Sequence, residues 1–247
     1  MPEGPSLVIL RELIEELKLE GKEVLNVIGT TELAKSPMQN EKVVAFKTWG
    51  KHFLICFDGF ALRIHLMMFG SYRINEYKEV PPKIGFLFKN AEINFYTCSI
   101  AFIEENLNEV YDWKADIMSD DWSATKAISK LKKEPDTLVC DAILDQHIFS
   151  GAGNIIKNEV LYRSKIHPLN KISDLPTAKL KELVSNARTY AFDFLAWKRA
   201  NVLKKHWEIY SKKVCPKKHP VQKDDVGRHK RVTYYCPECQ KLYKSKT

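Results

Sequence analysis

The sequence predicts an α+β protein: an N-terminal helix joined to an antiparallel β-sandwich domain, then a helical domain, then a β-ribbon finger. Three observations predict it. Leu10, Leu13, Ile14 and Leu17 recur at helical spacing behind Pro5, and Gly21 can end that helix. From Glu23 to Phe102 the chain breaks into short runs of β-branched and aromatic residues separated by turn pairs such as Asp58-Gly59 and Lys89-Asn90. Beyond Ser123 the periodicity becomes helical, and the chain closes on a basic tail holding Cys215, His219, Cys236 and Cys239.

The strand runs are Val43–Thr48, His52–Phe57, Ala61–Leu66, Tyr72–Tyr77, Gly85–Lys89 and Ile93–Tyr96. Between Leu107 and Trp122 the pattern fades, which puts a boundary near Asp116–Asp121. Ser123 has the chemistry of an N-cap for a short helix carrying Ile128 and Leu131, and the polar stretch Lys132-Lys133-Glu134-Pro135-Asp136 breaks that helix. Helices are expected over Thr137–Gln146, Asn154–Arg163, Thr177–Trp197 and Ala200–Tyr210. The expected domains are therefore 1–116, catalytic; 122–211, helical; and 212–247, the finger.

Composition narrows the function classes. With 247 residues and 45% hydrophobic content, the chain can bury a real core, so a disordered chain is not indicated. Lys+Arg 39 against Asp+Glu 31 gives a net charge of +8, which favours a polyanionic partner. No apolar run approaches the roughly 20 residues of a membrane span, and the start lacks a basic segment followed by an apolar core. A soluble intracellular protein is expected.

The cysteines divide by context. Cys56, Cys98 and Cys140 lie singly among apolar residues and read as reduced core residues. Cys215, His219, Cys236 and Cys239 instead offer three thiolates and an imidazole, a complete tetrahedral set for one structural Zn²⁺ per chain. Four protein ligands leave no open position, so this metal would not act as a Lewis acid. The alternation Arg231-Val232-Thr233-Tyr234-Tyr235 before Cys236 suits one strand of a ribbon. His167, His206 and His229 have no paired ligand spacing and read as surface or capping residues.

The first residues are Met1-Pro2-Glu3-Gly4-Pro5. Removal of Met1 would leave a free secondary amine beside a carboxylate. An α-amino group titrates at roughly 7.7–8.0, against about 10.4 for lysine, so part of it is unprotonated and nucleophilic at neutral pH. Attack by a secondary amine on a sugar C1′ gives an iminium ion, an electron sink. Further along, Gly151-Ala152-Gly153-Asn154 joins two helical segments through a glycine turn, where backbone N–H groups at the start of the new helix attract anions.

These stretches together resemble the formamidopyrimidine-DNA glycosylase and endonuclease VIII family, in the family's own order. The matches are Pro2-Glu3-Gly4-Pro5, Gly50-Lys51, His65-Leu66-Met67-Met68-Phe69-Gly70, Leu144-Asp145-Gln146 with Gly151-Ala152-Gly153-Asn154-Ile155, and the C-terminal finger. The resemblance implies a helix–two-turn–helix element around Asn154 and a bifunctional DNA glycosylase and abasic-site lyase acting on oxidised bases. It implies Pro2 as nucleophile, Glu3 as acid, and Lys51 reaching the phosphate beside the damaged nucleotide. Met68 takes the position that fills the space of the flipped base, with core packing as its alternative; Asn154 and Arg231 match residues that grip phosphate.

Three departures qualify the match. Ser6 stands where the family usually has a glutamate; Tyr96–Phe102 lacks the family's arginine run; and the segment between Trp197 and Cys215 is short. The last two point to the endonuclease VIII branch and to oxidised pyrimidines or ring-opened bases over 8-oxoguanine, while Ser6 bears on the organisation of the catalytic site and favours the rival reading below. His219 replaces a cysteine of the usual finger. The implied partner is damaged DNA, bound by a monomer in the nucleoid of a bacterium or the nucleus of a eukaryote. A DNA-binding protein that kept the clamp and lost the chemistry is the rival reading.

Overall fold

A computed structural model describes residues 2–228 and 230–243. Helix α1 (Gly4–Glu15) buries Leu7, Leu10 and Ile14 along one face, and Pro5 in its first turn supplies a pre-set φ where no hydrogen bond is lost. It packs on β2 and β3. The strands are β1 (Asn26–Ile28), β2 (Ala45–Trp49), β3 (His52–Cys56), β4 (Ala61–Ile74), β5 (Ile84–Leu87) and β6 (Glu92–Ile103), followed by the short helix α2 (Leu107–Val110). Their order in one antiparallel sheet is β1-β5-β6-β4-β3-β2.

Two long strands make this sheet into two layers. The first half of β4 pairs with β3 and the last half of β6, and its second half pairs with the first half of β6. The register shifts between Leu66 and Ser71. In a flat sheet Phe53 on β3 would lie level with Ile64 and Ile100, roughly 17 Å along β6 from Phe95. Their ring centroids are 5.8 Å apart. The strands therefore fold over, and Phe53, Phe86, Phe95, Leu62 and Ile64 share one core. The two runs expected at 61–66 and 72–77 are halves of a single bent strand.

The chain divides into two compact units, Met1–Tyr111 and Asp112–Thr247. The second holds α3 (Ala124–Lys132), α4 (Val139–Ala142), α5 (Asn154–Arg163), α6 (Thr177–Arg199) and the hairpin β7 (Gln222–Val226) with β8 (Arg231–Tyr235). Ser123 caps α3, its hydroxyl accepting from Lys126 N–H at 3.2 Å. Helix α6 buries Leu180, Leu183, Val184, Ala187, Tyr190, Ala191 and Phe194 against α3 and α5.

Two helix expectations fail. Thr137–Gln146 contains only the single turn of α4, because Gln146 folds back: its amide donates to the carbonyls of Leu144 and Ala152 and its oxygen accepts from Gly151 N–H. Ala200–Tyr210 holds only a short 3₁₀ turn, Leu203–His206. Among the described residues, no helix is long and apolar enough to cross a membrane.

Candidate functional site

In the first unit, Glu3 occupies the N-cap position of α1 in extended conformation, and its carbonyl accepts from Ser6 N–H at 2.7 Å. The Glu3 side chain is buried, only 1% exposed, while Pro2 is half-buried. Met1 lies outside the described residues. A carboxylate at the head of a helix, next to the candidate amine, sits where the helix dipole favours its charge.

Lys51 follows Gly50, whose φ of +55° makes the tight β2–β3 turn possible. Around this turn is a network that the motifs did not reveal. His65 Nδ1 donates to the Lys51 carbonyl at 3.0 Å, and His52 Nδ1 lies 3.1 Å from the Tyr111 hydroxyl. The two imidazoles meet edge to face at 5.3 Å, with Trp49 4.8 Å from the Tyr111 ring. Burial, reinforced by His65, Arg63 and Lys51, lowers His52 to about 3; burial likewise lowers His65 and raises Tyr111 to about 12. The histidines are thus neutral at pH 7, and Lys51 and Arg63 carry the positive charge here. The signal was in the sequence. A hairpin turning at Asp58-Gly59 that pairs Cys56 with Ala61 must pair His52 with His65.

Met68 lies where β4 leaves its ladder. Met67, Met68 and Phe69 are exposed side by side, Met68 at 53% and Phe69 at 81%, so core packing of Met68 is excluded. Gly70 holds the loop shape: a Cβ there would meet Met67 N and Thr97 O at 2.7 Å. Three large apolar side chains held in water by a main-chain bulge mark a contact surface.

In the second unit, Gly151, with φ +95°, and Gln146 close the turn that launches α5 at Asn154. Asn154 Nδ2 donates to the Val232 carbonyl at 2.9 Å, tying the start of α5 to β8. The next residues of α5 are fully engaged. Lys157, 1% exposed, donates to Thr233 Oγ1 at 2.7 Å, and Asn158 Oδ1 accepts from Tyr234 N–H at 2.7 Å. Glu159 accepts from the N–H groups of Glu208, Ile209 and Tyr210 at 2.9, 3.0 and 2.7 Å. Burial pushes Glu159 upward, and these three donors oppose the shift. Arg231 is exposed at the start of β8, paired with Val226.

Cys215, His219, Cys236 and Cys239 converge, with their donor atoms all within 4.8 Å of one another. His219 Nδ1 is 3.3 Å from Cys239 Sγ and 3.8 Å from Cys236 Sγ, and Cys215 Sγ is 3.9 Å from Cys239 Sγ. Zn–S bonds of about 2.3 Å in a tetrahedron put sulfurs about 3.8 Å apart, so this donor set fits a zinc ion. The other histidines have different work. His167 Nδ1 accepts from Leu169 N–H at 3.3 Å, and His206 stacks on Trp197 with rings 4.3 Å apart. His229 lies outside the described residues. Cys56, Cys98 and Cys140 are free and buried, as core residues should be.

Comparison with known proteins adds a decisive match. Residues 1–102 match the formamidopyrimidine-DNA glycosylase N-terminal domain and 115–191 the formamidopyrimidine-DNA glycosylase H2TH domain. The chain belongs to the formamidopyrimidine-DNA glycosylase and endonuclease VIII family. Among its relatives, Endonuclease 8-like 3 of Mus musculus is 33% identical over 79% of this chain and 34% of its own length. Endonuclease 8-like 2 of Bos taurus is 32% identical over 72% of this chain and 58% of its own. The chain thus spans between a third and somewhat over half of these curated relatives. Similar folds include Lactococcus lactis formamidopyrimidine DNA glycosylase bound to DNA containing an abasic site (TM-score 0.83, 21% identity) and a viral DNA glycosylase (TM-score 0.81, 20% identity). Each alignment covers 96% of this chain and 99% of the other. For this family member, the α+β architecture and the Cys/His finger accord with the sequence expectation.

Proposed function

We propose that this chain is a bifunctional DNA glycosylase and abasic-site lyase of base-excision repair, acting through Pro2. The observation that carries the reading is the pairing of Pro2 with Glu3, a carboxylate almost wholly buried at the head of α1. The amine of Pro2, freed by removal of Met1, attacks C1′ of a flipped nucleotide, and the base departs with the glycosidic electron pair. Glu3 delivers a proton to the ring oxygen as the sugar opens, leaving Pro2 joined to C1′ as an iminium. Loss of a C2′ proton into that sink expels the 3′-phosphate, and a second elimination expels the 5′-phosphate.

The remaining residues bind and orient. Lys51 and Arg231 supply cations for phosphates, and an amide nitrogen carries two hydrogens, so the Asn154 bond to Val232 leaves one for the backbone of the DNA. Met68 fills the space of the extruded nucleotide. Cys215, His219, Cys236 and Cys239 hold zinc, which supplies structure when bound. The expected substrates are oxidised pyrimidines and ring-opened bases, since Tyr96–Phe102 contains no arginine. Borohydride trapping on abasic DNA with peptide mapping tests the mechanism. A crosslink at Pro2, lost when Met1 is retained, is expected; a crosslink at Lys51 with Pro2 free overturns it.

A further inference from the structure

We infer that Asp141 is a positioning residue that aims the tip of the finger hairpin, and with it Arg231. The inference rests on the reading of Arg231 as a phosphate contact. Asp141 belongs to α4, 87 residues from the hairpin in sequence, yet both its carboxylate oxygens accept from Arg228 N–H, at 3.0 and 2.9 Å. The neighbouring residue is shaped for this contact. Gly227 has φ +81°, and a Cβ on it would lie 2.3 Å from Asp141 Oδ1. Hairpin turn and carboxylate fit only while position 227 has no side chain.

The turn lies next to Arg231. Val226 and Arg231 form the last rung of the β7–β8 ladder, and Lys230 N–H donates to the Gly227 carbonyl at 3.2 Å just beyond it. Lower on the hairpin, α5 already fixes β8 through Asn154, Lys157 and Asn158. Above that level, an isolated two-stranded ribbon twists freely and is marginal in water. Val226 packs its side chain on the apolar core of this unit, and Asp141 adds a directional polar contact beyond it, at the turn itself. A carboxylate accepting a main-chain N–H fixes direction without regard to the hairpin's side chains, and it does so from a helix inside the apolar core formed by Val139, Cys140 and Ala142.

The test measures dissociation constants for a duplex containing an abasic-site analogue, against salt, for Asp141→Ala, Asp141→Asn, Arg231→Ala and the Asp141→Ala/Arg231→Ala double variant, each with zinc content and thermal midpoint. Asp141→Ala is expected to weaken binding about fivefold and to lower the salt slope by about 1, as loss of one phosphate contact would. Asp141→Asn, which keeps one acceptor oxygen, should recover part of the loss. The double variant should bind no more weakly than Arg231→Ala alone. Full affinity in Asp141→Ala alongside weakened Arg231→Ala overturns the positioning role and leaves Arg231 as a contact. Additive losses also overturn it. An Arg231→Ala variant that binds like the parent removes the contact reading itself, and the inference with it.

Discussion

Helix α1 begins at Gly4-Pro5 and α5 at the glycine turn Gly151-Ala152-Gly153, but they are buried for opposite reasons. Helix α1 follows the usual amphipathic rule: Leu7, Leu10 and Ile14 face the core, while Glu12, Glu15 and Glu16 stay at the surface or nearly so. Helix α5 buries Lys157, Asn158 and Glu159 as well as Ile156, Val160 and Leu161. Its polar face meets the hairpin and residues 208–210 instead of water. Helix α1 is held by shape, whereas α5 adds to its apolar packing a polar face held by hydrogen bonds addressed to particular atoms. A shape-held contact tolerates like-for-like swaps, whereas an addressed contact fails when a donor or acceptor changes.

The largest expected effect lies in the Cys/His finger. Cys236→Ser, or prolonged chelation, should remove zinc and weaken DNA binding by about a hundredfold or more, because a closed zinc site is folding free energy for the segment around it. Full zinc content and normal binding in that variant would show that the finger is held by other contacts.

The next effect sharpens the contrast itself. Glu159→Gln changes one atom, but its amide nitrogen meets N–H donors, and a destabilisation of about 2–3 kcal/mol is expected. Ile64→Leu in the first core, also nearly isosteric, should cost less than about 1.5 kcal/mol. Urea unfolding of the two variants compares them; equal losses would erase the distinction between addressed and shape-held contacts.

A pH dependence marks the first unit in turn. His52 is lowered to about 3 in the fold, against about 6.5 when unfolded, so the unfolded chain binds the extra proton first as pH falls. Its contribution is fully present above pH 6.5 and lost progressively between 6.5 and 3. Each pH unit in that window costs at most about 1.4 kcal/mol per histidine. His52→Gln should flatten the fall in stability between pH 7 and 5 relative to the parent, the Cys/His cluster being common to both. An unchanged slope would mean that His52 is accessible to protons in the folded chain.

The smallest effects fall on the proposed phosphate contacts, exposed Arg231 and half-buried Asn154. Arg231→Ala and Asn154→Ala should each weaken binding about fivefold, alike on different sequences, since phosphate contacts carry no base information. Sequence-dependent losses, measured by anisotropy on several duplexes, would move either residue to base readout.

Much of this was legible in the sequence where local chemistry decides the structure. The bounds Asn154–Arg163 follow from the glycine turn before them and the loss of apolar periodicity after them, and the finger ligands follow from spacing alone. What was not legible depends on distant partners. Ala200–Tyr210 has helical composition, yet the N–H groups of residues 208–210 are claimed by Glu159 some fifty residues earlier, and Asn201 with φ +56° has already ended α6. The burial of Lys157 was equally hidden, because a lysine in a helix reads as solvated until its acceptor on Thr233 is known. Around Lys51, the glycine and lysine were visible as a motif. The histidines behind them required the strand register.

The bulge at Met67–Phe69 has a consequence for how the protein can change. Its shape is set by the main chain and by the lack of a side chain at Gly70, and nothing in the core depends on what those three residues are. Substitutions there alter what the tip touches at almost no cost in stability, whereas substitutions in the ladder on either side must satisfy the core first. The fold thus places its most evolvable positions on the surface marked for contact, so specificity can drift while the scaffold stays fixed.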